Sequence, residues 1–320
     1  MRTWIEQARQ GNRRALARLL SLVEDSEEQA RRIIPLIYPH TGQAHLIGIT
    51  GAPGSGKSTL VAQIAAAYRR RGMTVAIVAV DPSSPFSGGA ILGDRIRMQR
   101  LAGDSGVFVR SMASRGRVGG LARGTLHVVQ VLDACGYQRI LIETVGAGQS
   151  EVDIVRTAHT TLVLQVPGMG DDIQTMKAGI LEIADILVVN KADFEGATRT
   201  IAMLEAMLSL DPRSRAQKDG AWMPPIIKTV APRDEGTAEL IDTIERHMSY
   251  LHQSGRMITL ERERAAEELR AILREEMLAR ALQRIGEARF AEALTRAACR
   301  KVDPYTIVQA WMNNGILGNQ

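Results

Sequence analysis

An apolar run, AHLI, enters the stretch GITGAPGSGKST at residues 48–59, and a second run, LVAQIAAAYRR, leaves it. Gly51, Ala52, Pro53, Gly54, Ser55, Gly56, Lys57 and Ser58 match G-x-x-x-x-G-K-[ST] at every position. A strand running into a glycine-rich turn and a helix leaving it aim backbone N–H groups and the positive helix end at one point. Phosphate is the group such a point holds. Lys57 can reach β- and γ-phosphate oxygens, and the Ser58 hydroxyl can ligate the magnesium ion that bridges them.

The chain around the loop repeats the same alternation. Short β-branched runs, HLIGIT, TVAIVAV, VFVRSM, RILIET, TLVLQV, ILVVN and PIIKTV, are separated mostly by helix-length segments. This predicts an α/β fold, a P-loop domain with a mostly parallel, doubly wound sheet and helices on both faces. Residues 1–42 form a helical arm in this reading, with Ala15, Leu16, Leu19, Leu20, Leu22 and Val23 at helical spacing and a capping box at Ser26–Gln29. The sheet domain spans 43–252. From 253 to 320 the charged stretch ITLERERAAEELRAILREEMLARAL sets Leu269, Leu273 and Met277 on one stripe, and Glu276 can pair with Arg280. Such a stripe packs on its own domain or on a second copy.

ILVVNKADF puts Asn190, Lys191 and Asp193 at the end of a predicted strand, and N-K-x-D is the guanine-reading signature of P-loop GTPases. The Asp193 carboxylate can accept from both the ring N–H and the exocyclic amine of guanine. Adenine presents an acceptor where guanine has that N–H, so the order of the two motifs favours GTP over ATP. Between them, RILIETVGAGQSEVD delivers Glu143 and Gly146 in a D-x-x-G-like arrangement, with Glu in place of the usual Asp. Glu143 is expected near the magnesium, and the Gly146 N–H near the γ-phosphate. Ala147 stands where Ras-like proteins carry the water-orienting glutamine, and Gln149 comes two residues later. Slow intrinsic hydrolysis is expected, with Gln149 a candidate catalytic residue beside Lys57, Glu143 and Asp81 and the water-positioning group left open. Asp81 stands at a strand end, within reach of the magnesium shell, and Asp94 can join it once the loop closes. An Asp-Pro turn before a capped helix accounts for the same residues. An arginine finger can come from a partner or from Arg95, Arg97 or Arg110.

GAPGSGKST, VDPSSPFSGGAILGDRIRM, ETVGAGQSE, PGMGDDIQTMKAGILEIAD and NKAD, in this order, resemble the GTPase chaperones of adenosylcobalamin-dependent acyl-CoA mutases. Members are often labelled methylmalonyl-CoA mutase-associated GTPases, and some carry an older label as arginine/ornithine transport kinases. The resemblance covers about residues 10–315. It implies a doubly wound G domain, a homodimer through the C-terminal helices, GTP and GDP with Mg2+ as ligands, and gating of cofactor delivery to a mutase. By motif position it assigns Gly51–Thr59 to the phosphates, with Thr59 added to the loop. Asp81, Asp94 and Glu143 go to the magnesium and switch chemistry, and Asn190, Lys191 and Asp193 to guanine. Thr229, Val230 and Ala231 match the family's last base-contacting loop, and Gly168–Ile180 resembles a switch that relays nucleotide state to the mutase.

Composition narrows the alternatives. The net charge of +5 is spread as Arg and Glu along helices, and aromatics are 4% of the chain, which disfavours a nucleic-acid face. The N-terminus lacks the apolar core of a secretory signal, and no apolar stretch approaches a membrane span, so a cytoplasmic protein is expected, with an Arg-rich organelle leader as the alternative. Cys135 and Cys299 are expected as buried thiols. The six histidines show no ligand spacing, against a nickel metallochaperone, and His247 and His252 are expected at the surface or at helix ends. A transport-protein kinase would need an acceptor site with a general base, and no such motif is visible. A GTP-regulated scaffold without turnover is the non-enzymatic alternative.

Overall fold

The computed structural model describes residues 1–81, 103–113, 120–144, 157–168, 183–210 and 220–313. They divide into two compact units, Met1–Met257 and Ile258–Gln320. The first begins with α1 (Arg2–Arg9), α2 (Arg13–Asp25) and α3 (Glu27–Ile37). The Asn12 side chain caps α2 by accepting from the Arg14 and Ala15 amides. At α3 only half of the expected capping box forms: Ser26 Oγ accepts from Gln29 N at 3.3 Å, while the Ser26 amide donates to the Leu22 carbonyl.

The sheet is built from β1 (His45–Gly51), followed by α4 (Lys57–Arg70), β2 (Val75–Asp81), β3 (Val107–Ala113) and α5 (Gly120–Ala134). β4 (Arg139–Thr144), β5 (Thr160–Gln165), β6 (Ile186–Asn190), α6 (Ala197–Leu210), β7 (Ile226–Thr229) and α7 (Thr237–Gln253) complete it. The seven strands lie in the order β3-β2-β4-β1-β5-β6-β7, and every pairing is parallel. All seven coincide with the β-branched runs of the sequence. The inner strands β1, β4, β5 and β6 are buried on both faces, so they read as near-continuous apolar runs.

Alternation along the strands feeds cores on both faces of the sheet. Ala76, Val78, Ile140 and Ile142 face a core that contains Val128, Val131 and Leu132 of α5 with Leu16, Leu19, Leu20 and Ile33 of the arm. The stripe read on α2 therefore buries itself on this side of the sheet, and truncating a residue such as Leu19 to Ala would cost about 2–5 kcal/mol. Ile47, Ile49, Ile77, Leu141 and Leu162 face the other side, with Leu60 and Ile64 of α4 and Leu240, Ile241 and Ile244 of α7. The buried Asp133 at the end of α5 fixes the segment entering β1, accepting from the amides of Gly42, Gln43 and Ala44 at 2.5, 3.2 and 2.9 Å. On the edge strand, Arg110 donates to Glu24 Oε2 and to Ser21 of α2, so this arginine-finger candidate is engaged in holding the arm.

The parallel arrangement sends the segments after β1, β2, β4, β6 and β7 out of one edge of the sheet. Order reverses beside β1, whose neighbours are β4 and β5, and such switch points are where open α/β sheets bind ligands.

The second unit carries most of α8 (Arg256–Ile285), then α9 (Glu287–Ala298) and α10 (Pro304–Asn313). Leu269, Leu273 and Met277 are 68%, 60% and 61% exposed. Glu276 and Arg280 approach to 3.7 Å, as their spacing predicts. Phe290 and Trp311 hold α9 to α10 with ring centroids 6.1 Å apart. Two expectations are corrected. Cys135 is half-buried and Cys299 exposed, because the first follows the last turn of α5 and the second the end of α9. His247 is buried on the inner face of α7, while His252, near that helix's end, is exposed. Among the described residues no helix is long and apolar enough to cross a membrane.

Candidate functional site

The segment between β1 and α4 folds as its glycines require. Gly51, Gly54 and Gly56 have φ of +144°, +77° and +91°, conformations L side chains rarely adopt. At Gly51 an added Cβ would lie 2.5 Å from the Leu164 carbonyl oxygen on β5. At Gly56 it would strike Asn190 Nδ2, so the loop and the end of β6 touch at a point where only hydrogen fits. Ala52 and Thr59 are half-buried, Pro53 is exposed, and Ser55, Lys57 and Ser58 are buried.

Lys57, the first residue of α4, turns back and donates from Nζ to the Gly51 and Ala52 carbonyls at 2.8 and 3.0 Å. A flexible ammonium held by two backbone oxygens can exchange them for phosphate oxygens of higher charge. One residue on, Ser58 Oγ donates to Glu143 Oε1 at 2.6 Å, and both side chains are buried. A hydroxyl and a carboxylate are the hard oxygen donors that Mg2+ selects, and Ser58 keeps its oxygen lone pairs while its proton is committed to Glu143. The Glu that replaces the usual Asp thus lies against the predicted magnesium serine. Asp81 is the last residue of β2. Asp94, Gly146 and Gln149 lie outside the described residues, as do residues 169–180 of the suggested relay segment.

Asn190 joins two loops. Its Nδ2 donates to the Ser55 carbonyl at 2.8 Å, and its Oδ1 accepts from Thr229 Oγ1 at 3.1 Å and from the Ala231 amide at 3.2 Å. The buried amide therefore fixes the phosphate loop and the segment after β7 to each other. Lys191 sits in the left-handed region at φ 56°, with its Nζ 2.9 Å from the Gly54 carbonyl and 6.0 Å from the centre of the Phe194 ring. Strain of roughly 1–2 kcal/mol at a non-glycine residue in this region is tolerated where neighbouring contacts fix the conformation. Asp193 lies 3.3 Å from Arg233 Nη2. Thr229, Val230 and Ala231 are buried beside Asn190, and Gln63 of α4 donates to the Ala231 carbonyl at 3.0 Å.

The predicted residues present in the structure gather at one edge of the sheet, with phosphate-type and base-type elements cross-linked. Gln63 and Arg233 escaped sequence reasoning. Gln63 carries no motif signal, whereas Arg233 had one, since it stands two residues beyond the loop matched for base contact.

Residues 16–285 match the family described as methylmalonyl Co-A mutase-associated GTPase MeaB. A putative GTPase of Pyrococcus abyssi is 49% identical over 302 residues, covering 94% of this chain and 93% of that protein. The GTPase ArgK of Escherichia coli is 35% identical over 278 residues, covering 86% and 84%. The crystal structure of a LAO/AO transport system kinase aligns with a TM-score of 0.73 at 27% identity, over 97% of this chain and 96% of that one.

Proposed function

The chain belongs to the methylmalonyl-CoA mutase-associated GTPase family and is a P-loop GTPase that binds guanine nucleotide, and from that premise we propose that it is a GTP-gated chaperone of an adenosylcobalamin-dependent acyl-CoA mutase. GTP binding and hydrolysis would control the loading, protection or reactivation of the mutase cofactor. The observation that carries the proposal is the match of residues 16–285 to a family described by its association with that mutase.

In this reading Gly51–Thr59 cradle the phosphates, Lys57 leaves the Gly51 and Ala52 carbonyls for the β- and γ-oxygens, and Asp193 accepts from guanine. Asn190 fixes the phosphate loop and the Thr229–Ala231 loop to each other. Ser58 and Glu143, with Asp81 and Asp94 by motif position, would hold magnesium, which would supply charge neutralisation for the phosphates. Glu143 keeps the Ser58 hydroxyl oriented with its lone pairs outward. No protein nucleophile is needed, because positioning and charge stabilisation supply most of the acceleration in phosphoryl transfer to water. Residues 1–42, 43–252 and 253–320 serve as arm, G domain and dimerisation arm. The exposed Leu269, Leu273 and Met277 fit a second copy of the chain.

Steady-state hydrolysis of GTP and ATP, alone and with an acyl-CoA mutase, tests the proposal. GTP-selective turnover that rises with mutase is the expected result. Turnover that no such mutase alters would reopen the partner, and binding without turnover in any mixture would make the protein a scaffold.

A further inference from the structure

Arg233 belongs to no motif used above, yet it sits at the base end of the site. It closes the single 3-10 turn Ala231–Arg233 that follows β7. That turn is held from three sides. The Val230 amide donates to the Glu235 carbonyl at 3.1 Å across the turn. From α4, Gln63 donates to the Ala231 carbonyl at 3.0 Å, and Arg70 pairs with Asp234 at 3.0 Å. From β6, Asn190 Oδ1 accepts from the Ala231 amide. The guanidinium therefore projects from a backbone tied to both the phosphate helix and the base strand. It reaches Asp193 Oδ2 through Nη2 at 3.3 Å and lies 3.9 Å from Glu235 Oε1 through Nη1.

We propose that Arg233 is a positioning residue for guanine recognition, holding the Asp193 carboxylate in the orientation that meets the base. This rests on the reading of Asp193 as the guanine acceptor. A carboxylate carries about four lone-pair sites, so one contact from Arg233 to Oδ2 leaves both oxygens able to accept from guanine. The fixed fork of Arg then selects one carboxylate rotamer before the base arrives, and Glu235 steadies the fork from its other side. The Asp193 side chain is 26% exposed and that of Arg233 60% exposed, so the pair works against solvent and the effect is modest. Exposed pairs of this kind correspond to about a two- to fivefold change in an equilibrium constant.

The test is GDP affinity, read with a fluorescent GDP analogue, for wild type, R233A, R233K, D193N and the R233A/D193N double variant. R233A is expected to weaken binding about two- to fivefold at about 0.1 M salt, with R233K, which keeps the charge but loses the fork, between R233A and wild type. The R233A loss should shrink toward nothing at about 1 M salt, where the screening length falls to about 3 Å. In the D193N background, whose guanine affinity has already fallen, adding R233A should leave the GDP dissociation constant unchanged. Equal or tighter binding by R233A overturns the inference, and tighter binding would mean that Arg233 competes with the base. A loss that persists at high salt or recurs in the D193N background also overturns it, since Arg233 would then act through something other than the Asp193 charge. If D193N alone binds GDP as wild type does, the base reading itself fails and the inference falls with it, a result obtained without touching Arg233.

Discussion

Acidification should unfold this protein through a buried polar chain at the end of the sheet opposite the phosphate loop. His45 opens β1, Thr160 opens β5 and Asp185 precedes β6; His247 reaches them from α7. His45 Nε2 and His247 Nδ1 lie 2.8 and 2.9 Å from Thr160 Oγ1, and His247 Nε2 lies 3.4 Å from Asp185 Oδ1. One direction of hydrogen bonding satisfies this with neutral rings: His45 donates to Thr160, Thr160 to His247, and His247 toward Asp185. The cost of reversing it is visible at His45 Nδ1, a buried nitrogen with no hydrogen-bond partner. Adding a proton to His247 Nδ1 makes it a donor, so the Thr160 hydroxyl proton must leave it, either for His45 Nε2, which moves the His45 proton onto that partnerless nitrogen, or for another acceptor. Burial first, and then the nearby His159 and Arg256, push His247 down to about 4, and burial and the same kind of neighbours push His45 down as well. The unfolded chain, with ordinary histidines near 6.5, therefore binds more protons between about pH 6.5 and about pH 4. Stability is complete above the unfolded value and declines as pH falls through that window. At about 1.4 kcal/mol per pH unit, moving from about pH 7.5 to about pH 5 removes about 2 kcal/mol through His247 alone. Urea unfolding of nucleotide-free wild type and H247Q at the two pH values measures it. Wild type should lose about 2 kcal/mol more than the variant. Equal losses, or a wild type that gains stability in acid, would refute the reasoning.

The contact between Gly56 and Asn190 predicts that G56A is damaged twice: about 1–2 kcal/mol of backbone strain at φ +91°, and displacement of Asn190 from both loops it joins. Thermal melts should show the first, and a GDP dissociation constant raised by at least about tenfold, about 1.4 kcal/mol, the second. At the Ser58–Glu143 contact, S58A should lower the stability of the nucleotide-free protein by about 1.5–3 kcal/mol, the range for hydrogen bonds to charged groups. A double-mutant cycle with E143Q should return a coupling above about 0.5 kcal/mol, and additive losses would mean that the two residues act independently.

The strands and the phosphate loop were legible because each is a local signal. A strand buried on both faces must be apolar along its length, and a loop that wraps phosphate must hold glycine where φ is positive. The links between elements were not legible, because they join residues far apart in sequence through side chains with no periodic signature. Asp133 gathers amides from residues 42–44, Arg110 holds Glu24, and Gln63 reaches Ala231. Histidine spacing excluded a metal-ligand motif and so suggested surface residues. It carried no information on His247, whose burial is decided by where α7 lies on β5 and β7 rather than by its neighbours in sequence. Half of the Ser26–Gln29 capping box failed for a comparable reason, since α2 runs so directly into α3 that the Ser26 amide already serves the Leu22 carbonyl. Asp94, Gly146, Gln149 and most of the Gly168–Ile180 relay lie outside the described residues, and their roles rest on motif position.

The two ends of β1 carry different kinds of chemistry, and the parallel sheet keeps them apart. Its seven residues span about 20 Å, from His45 in a closed set of neutral hydrogen bonds to Gly51 at the mouth of the phosphate loop. At the His45 end every exchange of partners reverses a buried chain, so this end stabilises one arrangement and resists change. At the Gly51 end Lys57 rests on two backbone carbonyls, contacts that an incoming phosphate can outbid because it offers full negative charge in place of partial charge. Substitutions at the first end should therefore change how firmly the fold stands without changing what the site selects. At the second end they act on the nucleotide directly, because there the loops are held to one another mainly by the side chains of Asn190, Lys191 and Gln63.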